Sequence, residues 1–171
     1  RIVLKATAVL LLFGTIVIFI SEHNNTLHGM NFGTQLNASF FQSASARTAG
    51  FSSIDIGRET DFTKVITIIL MFIGASPTST GGGIKTTTLI VLIEAVISVM
   101  RGNEDACILK RRIDKSTVYR ALSIAAIGMM VIFITSGIIM VSTPRVNGIN
   151  ALFESTSAFG TVGLTADVTP L

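Results

Sequence analysis

Long apolar runs alternate along this chain with short polar stretches. Ile2–Ile20 holds nineteen residues with one charge, Lys5, and Val118–Val141 is longer, with only Arg120 near its start. A helix needs about 20 apolar residues to cross a hydrocarbon layer of roughly 30 Å, so both runs have the length of membrane spans. Two buried helices of a large soluble core are the alternative. A third apolar region, from about Phe62 to Met100, is interrupted by GASPTSTGGGIKTTT at residues 74–88. Its flanks, Val65–Gly74 and Leu89–Met100, are each about half a bilayer long at about 1.5 Å per residue. They cross only together, with the polar middle inside the membrane, as in the broken helices of channels and transporters. Pro77 lacks an amide donor, and Gly81-Gly82-Gly83 dissolves helical preference. The pattern predicts an all-α membrane protein with a broken transmembrane helix at 62–101 and an intramembrane loop at 74–88.

The chain also repeats itself. FFQSASA-RTAGFSS (residues 40–53, with one gap) aligns with LFESTSAFGTVGLTA (residues 152–166). The shared frame pairs Phe41 with Phe153, Ser43 with Ser155, Ser45 with Ser157, Ala46 with Ala158, Thr48 with Thr161 and Gly50 with Gly163. Each copy follows a long apolar span after a polar linker. The short segments Asn37–Ala46 and Asn150–Ala158 form about two to three helical turns, too short to cross a bilayer. A short helix followed by a glycine-centred loop fits a re-entrant pore helix, since irregular backbone at membrane depth must be buried in protein or line water. Thr48-Ala49-Gly50-Phe51 and Thr161-Val162-Gly163-Leu164 would then offer backbone carbonyls to a cation such as K⁺. The negative ends of the two helix dipoles favour a cation at the same place.

Composition agrees with a membrane setting: 49% of the 171 residues are hydrophobic and only 13% charged. The net charge of +3 matters less than where it lies. Residues 101–120 carry Arg101, Lys110, Arg111, Arg112, Lys115 and Arg120 against Glu104, Asp105 and Asp114. With Arg1 and Lys5, this basic excess places those regions on the cytoplasmic side, and residues 21–64 and 142–171 outside. Beside membrane spans, topology explains the basic stretch better than nucleic-acid binding, so no nucleic-acid partner is expected. Cys107 is the only cysteine, so no internal disulfide can form. The chain opens on Arg1 and ends on Thr169-Pro170-Leu171, which reads as a piece of a longer protein. Its first span lacks a small-residue cleavage pattern after the apolar run, as a signal peptide would have.

The glycines, hydroxyls and lysine of residues 74–88 suggest a phosphate cradle, but that motif needs glycine directly before lysine. Here Ile84 separates Gly83 from Lys85. Lys85 is instead a positive charge near the pore or a snorkelling residue, and Glu94 is a candidate partner for it. Arg47, beside the first glycine loop, is expected to pair with an acid, Asp55 being one candidate, or to cap carbonyls behind the loop. His23 and His28 sit in an outer linker with no clustered ligands, so no metal site is expected there.

SARTAGFSSIDI, GASPTSTGGGIKTTT and STSAFGTVGLTADVTP together resemble the Trk/Ktr/HKT superfamily of potassium transporters, most closely the KtrB-type pore-forming subunit. The resemblance covers nearly the whole chain. It implies four span–pore helix–span repeats around one pore. Residues 1–101 would form the third repeat, with a span at 2–20 and pore helix and filter at 37–53. Residues 102–117 would be a cytoplasmic basic linker. Residues 118–171 would be part of the fourth repeat, with a span at 118–141 and pore helix and filter at 150–166. Carried over by position, Gly50 and Gly163 resemble filter glycines, flanked by Thr48, Ala49, Phe51, Thr161, Val162 and Leu164. Gly74, Ala75, Ser76, Pro77, Thr78, Ser79, Thr80, Gly81, Gly82, Gly83 and Lys85 look like the gating loop below the filter. The family further implies K⁺ uptake across a bacterial plasma membrane, coupling to Na⁺, no organic cofactor and no enzymatic step. It also implies a homodimer on a cytoplasmic ring of nucleotide-binding, KtrA-like regulatory subunits. A secondary transporter that binds a small solute at the broken helix is the rival reading; it leaves the duplicated loops unexplained.

Overall fold

A computed structural model describes residues 2–74, 81–102, 107–108, 111–143 and 146–166. Among these described residues six helices follow in order: α1 (Ile2–Glu22), α2 (Phe32–Ser45), α3 (Asp61–Phe72), α4 (Thr86–Met100), α5 (Lys115–Ser142) and α6 (Gly148–Gly160). Between α4 and α5, β1 (Cys107–Ile108) pairs antiparallel with β2 (Arg111–Arg112). This short strand pair lies within the stretch expected to be a linker. One 3₁₀ turn, Ile56–Arg58, precedes α3.

Only α1 and α5, among the described residues, are long and apolar enough to cross a membrane. Their 21 and 28 residues correspond to about 31 and 42 Å of helix. Their outward faces carry Leu12, Ile16 and Ile20 on α1 and Ile127, Met130 and Phe133 on α5, each more than half exposed. So extensive an apolar surface is stable only against lipid or further protein.

The shorter helices fill the space between the long ones. α2 packs on α1, α6 packs on both α3 and α5, and α4 lies against α5. Small residues let the helices approach, as is usual for helix pairs in membranes. A Cβ on Gly14 of α1 would lie 2.3 Å from Ser43 Oγ of α2, and Ser43 donates to the Leu11 carbonyl at 3.0 Å. In the second repeat Gly128 of α5 makes the equivalent room, here for the ring of Phe159 on α6. The main core cluster joins Ala46, Leu70, Met71, Phe153, Val162 and Leu164. It therefore lies directly behind the two glycine loops.

Several element boundaries differ from the sequence pattern: α3 starts at Asp61 rather than Val65 and α5 at Lys115 rather than Val118. α2 starts at Phe32, five residues before Asn37, because Gln35 is buried and its amide donates to the Leu27 and Met30 carbonyls. These bonds hold the first turn in place despite Gly33 and an N-cap, Asn31, that makes no side-chain bond. At the break, Thr86–Thr88 form the first turn of α4 rather than the end of a loop.

Candidate functional site

Two loops follow α2 and α6, and the fold sets them face to face. In the first, Thr48 and Gly50 have φ of +79° and +77°; in the second, Thr161 and Gly163 have +52° and +88°. Glycine adopts this region freely, whereas for β-branched threonine it is strained, at a cost of about 1–3 kcal/mol. The same strained position thus occurs in both repeats. Thr161 ends α6 in the left-handed conformation, with its amide donating to the Ala158 carbonyl and that of Val162 to Ser157. A Cβ at Gly50 would lie 2.4 Å from the Val162 carbonyl oxygen, and one at Gly163 would lie 3.7 Å from Gly50 Cα. The two glycines stand where the loops meet.

Burial alternates along the second loop. Thr161 and Gly163 are exposed, while Val162 and Leu164 are 4% and 3% exposed and anchor in the core. The first loop departs from this pattern, since Phe51, the counterpart of Leu164, is 71% exposed. Its backbone is held instead by the buried Ser45 hydroxyl, which accepts from the Phe51 amide at 2.9 Å and donates to the Phe51 carbonyl. Both loops leave the C-terminal end of a helix, where the dipole is negative and backbone carbonyls lack helical partners.

The end of α3 and the start of α4 close on these loops. The Ile84 amide donates to the Phe72 carbonyl at 2.9 Å, so the two ends of the break lie side by side. A Cβ on Gly74 would lie 2.1 Å from the Gly82 carbonyl oxygen, and this backbone contact requires glycine. Gly82 donates its amide to Thr161 Oγ1 at 2.8 Å, and Gly81 lies against the Thr48 side chain. Each strained threonine therefore touches a glycine of the break. The two cations nearby cap its carbonyls: Arg47 Nη2 donates to Gly74 at 3.3 Å and Lys85 Nζ to Gly81. Asp55 is not the partner of Arg47. It pairs with Arg58 at 3.2 Å and caps the Gly57 amide at 3.1 Å.

A polar network backs the loops on the side where the chain leaves them. Glu22, wholly buried at the end of α1, accepts from the Thr60 amide at 2.9 Å and from Thr63 Oγ1 at 2.6 Å. It so fixes the start of α3, where acidic groups complement the helix dipole. Gln42 of α2, also wholly buried, donates to Glu59 Oε1 at 3.0 Å. Burial, and next the negative charge of Glu22, push the Glu59 carboxyl up to about 8; Lys64 opposes this. Glu59 Oε2 meets no hydrogen-bond partner among the described residues. Lys64 Nζ bridges the repeats, donating to the Gly57 carbonyl at 3.1 Å and to Asn150 Oδ1 at 3.0 Å.

Residues 2–166 match the family model described as TrkH, "Cation transport protein". The chain belongs to the TrkH family. Over 171 aligned residues it is 42% identical to the Ktr system potassium uptake protein B of Vibrio alginolyticus, covering 99% of this chain and 37% of that protein. The protein of the same name in Bacillus subtilis is 38% identical over 173 residues, with 99% and 38% covered. The potassium/sodium uptake protein NtpJ of Enterococcus hirae is 38% identical over 179 residues, with 99% and 39% covered. These relatives are named for ion uptake and not for catalysis. The TrkH-family chain spans less than two-fifths of the length of each.

Of the residues singled out in the sequence, the structure brings Thr48, Gly50, Gly74, Gly81–Gly83, Lys85 and Thr161–Gly163 into contact, while Phe51 is exposed and Leu164 lies in the core. Ala75, Ser76, Pro77, Thr78, Ser79 and Thr80 lie outside the described residues. Sequence reasoning missed Glu22, Gln42, Glu59, Lys64 and Glu154; the four charged ones enter it only as part of the outer segments 21–64 and 142–171. The repeat register did carry one signal, because Gln42 and Glu154 fall at matched positions next to Phe41 and Phe153.

Proposed function

We propose that this chain supplies the third span–pore helix–span repeat and part of the fourth in a K⁺-translocating membrane protein. In this reading α2 and α6 are re-entrant pore helices. Thr48-Ala49-Gly50-Phe51 and Thr161-Val162-Gly163-Leu164 are two of four segments of a carbonyl selectivity filter. One observation carries the proposal: at matched positions of the two repeats, Thr-x-Gly loops with positive φ meet at their glycines, at the negative ends of two short helices. K⁺ is the transported substrate, and the site asks for no organic cofactor and no covalent chemistry.

The loop expected at residues 74–88, whose last three residues belong to α4, is the proposed gate. Support comes from its described flanks, which hydrogen bond to Thr161 and pack on Thr48. α3 and α4 are then two halves of one broken span. The basic stretch at 102–117 faces the cytoplasm, where a ring of nucleotide-binding regulatory subunits would dock, and the complete protein is a homodimer in a bacterial plasma membrane. Na⁺ dependence belongs to the same proposal, supported by the potassium/sodium relative. A solute carrier with a site at the broken helix would leave the two strained Thr-x-Gly loops without a purpose.

The test is uptake of K⁺ or labelled Rb⁺ by the complete transporter in cells lacking other K⁺ uptake, with and without Na⁺. Saturable K⁺ uptake that rises with Na⁺ is expected. Growth and uptake indistinguishable from empty cells, with the protein present in the membrane, would refute the proposal.

A further inference from the structure

The two repeats share a contact that lies outside both loops. Eleven residues before Thr165, Glu154 on α6 receives the Thr165 hydroxyl and, at 2.9 Å, the Ala166 amide on its Oε1. Ten residues before Ser52, Gln42 on α2 has its Oε1 3.1 Å from the Ser52 hydroxyl, whose proton it shares with the nearer Ile54 carbonyl. In the one-gap register of the repeats Gln42 aligns with Glu154, and Ser52 aligns with Thr165. Each hydroxyl stands two residues beyond its loop glycine, Gly50 or Gly163. Both repeats therefore tie the outgoing limb of the glycine loop to a side-chain oxygen on the helix that precedes it.

The chemistry of the two ties differs in a balanced way. Glu154 brings an ionisable carboxylate directly, whereas Gln42 is a neutral amide whose nitrogen donates to the Glu59 carboxyl. Repeats with different residues at this position thus share one element, an sp² oxygen accepting from the hydroxyl. Charge is not shared at that position. These ties act beside the Ser45 hydroxyl on Phe51 and the core anchors Val162 and Leu164, and misplacing reacting groups by even about 1 Å can cost on the order of a hundredfold.

We propose that Gln42 and Glu154 are positioning residues for ion selection, and that their operative atom is the acceptor oxygen that fixes the limb leaving Gly50 and Gly163. This rests on the filter reading of the two loops and adds residues that do not themselves touch the ion. A carboxamide at either position keeps the tie, and an apolar side chain removes it.

The experiment measures K⁺ and Na⁺ uptake kinetics by the complete transporter carrying Glu154→Gln, Glu154→Leu, Thr165→Val or Gly163→Ser, each with its amount in the membrane. Glu154→Leu and Thr165→Val should raise KM for K⁺ on the order of tenfold and narrow the preference over Na⁺, with maximal rate less affected. Glu154→Gln should stay close to the unmodified protein, and Glu154→Leu with Thr165→Val should be no worse than the poorer single change. A merely structural role would lower the amount of protein or the maximal rate, leaving KM and ion preference alone, and that result overturns the proposal. Should Glu154→Leu fail to reach the membrane, Thr165→Val gives the same reading through the other partner. Glu154→Gln as defective as Glu154→Leu would overturn the assignment to the acceptor oxygen. Unchanged ion preference in Glu154→Leu and Thr165→Val, together with a loss in Gly163→Ser, refutes the tie and spares the filter. No change in Gly163→Ser refutes the filter reading itself.

Discussion

Replacing Gly50 by alanine should be far more damaging than replacing Gly163, although the two are counterparts in the repeat. Both have positive φ, +77° and +88°, so each alanine takes on a left-handed backbone at a cost of about 1–2 kcal/mol. Beyond that their surroundings differ. A Cβ at Gly50 would lie 2.4 Å from the Val162 carbonyl oxygen, which is backbone and cannot rotate away. At Gly163 the nearest atom is Gly50 Cα at 3.7 Å, an ordinary contact. Overpacking against a rigid partner adds roughly 1–3 kcal/mol, so Gly50→Ala should lose about 2–5 kcal/mol and Gly163→Ala only the backbone part. Gly29 is a control, with φ +84° and nothing within 4 Å. Gly29→Ala should cost about as much stability as Gly163→Ala and leave ion preference unchanged. Thermal unfolding of the complete transporter in detergent, with uptake kinetics in cells, measures both. Gly163→Ala as destabilising as Gly50→Ala, or a harmless Gly50→Ala, would refute the packing argument.

Two more predictions use the fold around the loops. Gly14→Ala should destabilise the packing of α1 on α2 by about 1–3 kcal/mol, and adding Ser43→Ala should recover part of this by removing the oxygen at 2.3 Å; thermal melts of the singles and the double read the coupling. Glu59 makes stability depend on pH. Its carboxyl titrates near 8 when folded against an ordinary 4.5, and it is faced by Glu22 on α1, Lys64 on α3 and Asp55 in the loop. The folded state therefore holds the extra proton between these values, and stability should fall as pH rises from about 5 to 8. Glu59→Gln, which keeps an acceptor for Gln42, should flatten that slope in melting temperature against pH; an unchanged slope would remove Glu59 as its source.

The parts of this fold visible in the sequence are those governed by local pattern. The spans follow from unbroken apolar length, and the break follows from Pro77 and three consecutive glycines. The paired loops follow from a repeat whose glycines must adopt backbone that other residues resist. What stayed hidden depends on the third dimension. Of the two roles expected for Arg47, capping carbonyls is the one realised, but its carbonyl, Gly74, lies twenty-seven positions on; Asp55, the candidate acid, is drawn off by Arg58, three residues away. Glu22 and Glu59 fall in residues 21–64, which the charge balance assigns to the outside, and local composition cannot tell a solvated acid from a buried one that holds the start of the next helix. The early start of α2 was masked by Gly33, whose weak helical preference is overridden by the bonds of Gln35. Gln42 and Glu154 were readable in register, yet their shared task emerges only once Ser52 and Thr165 are seen to fold back onto them.

The central claim is that Gly50 and Gly163 line one ion path. Its most direct test is the preference for K⁺ over Na⁺ of the complete transporter bearing Gly50→Ser or Gly163→Ser, measured by uptake in cells without other K⁺ systems. Both substitutions should weaken K⁺ affinity or its advantage over Na⁺ while the protein still reaches the membrane. Kinetics unchanged in either would contradict the account.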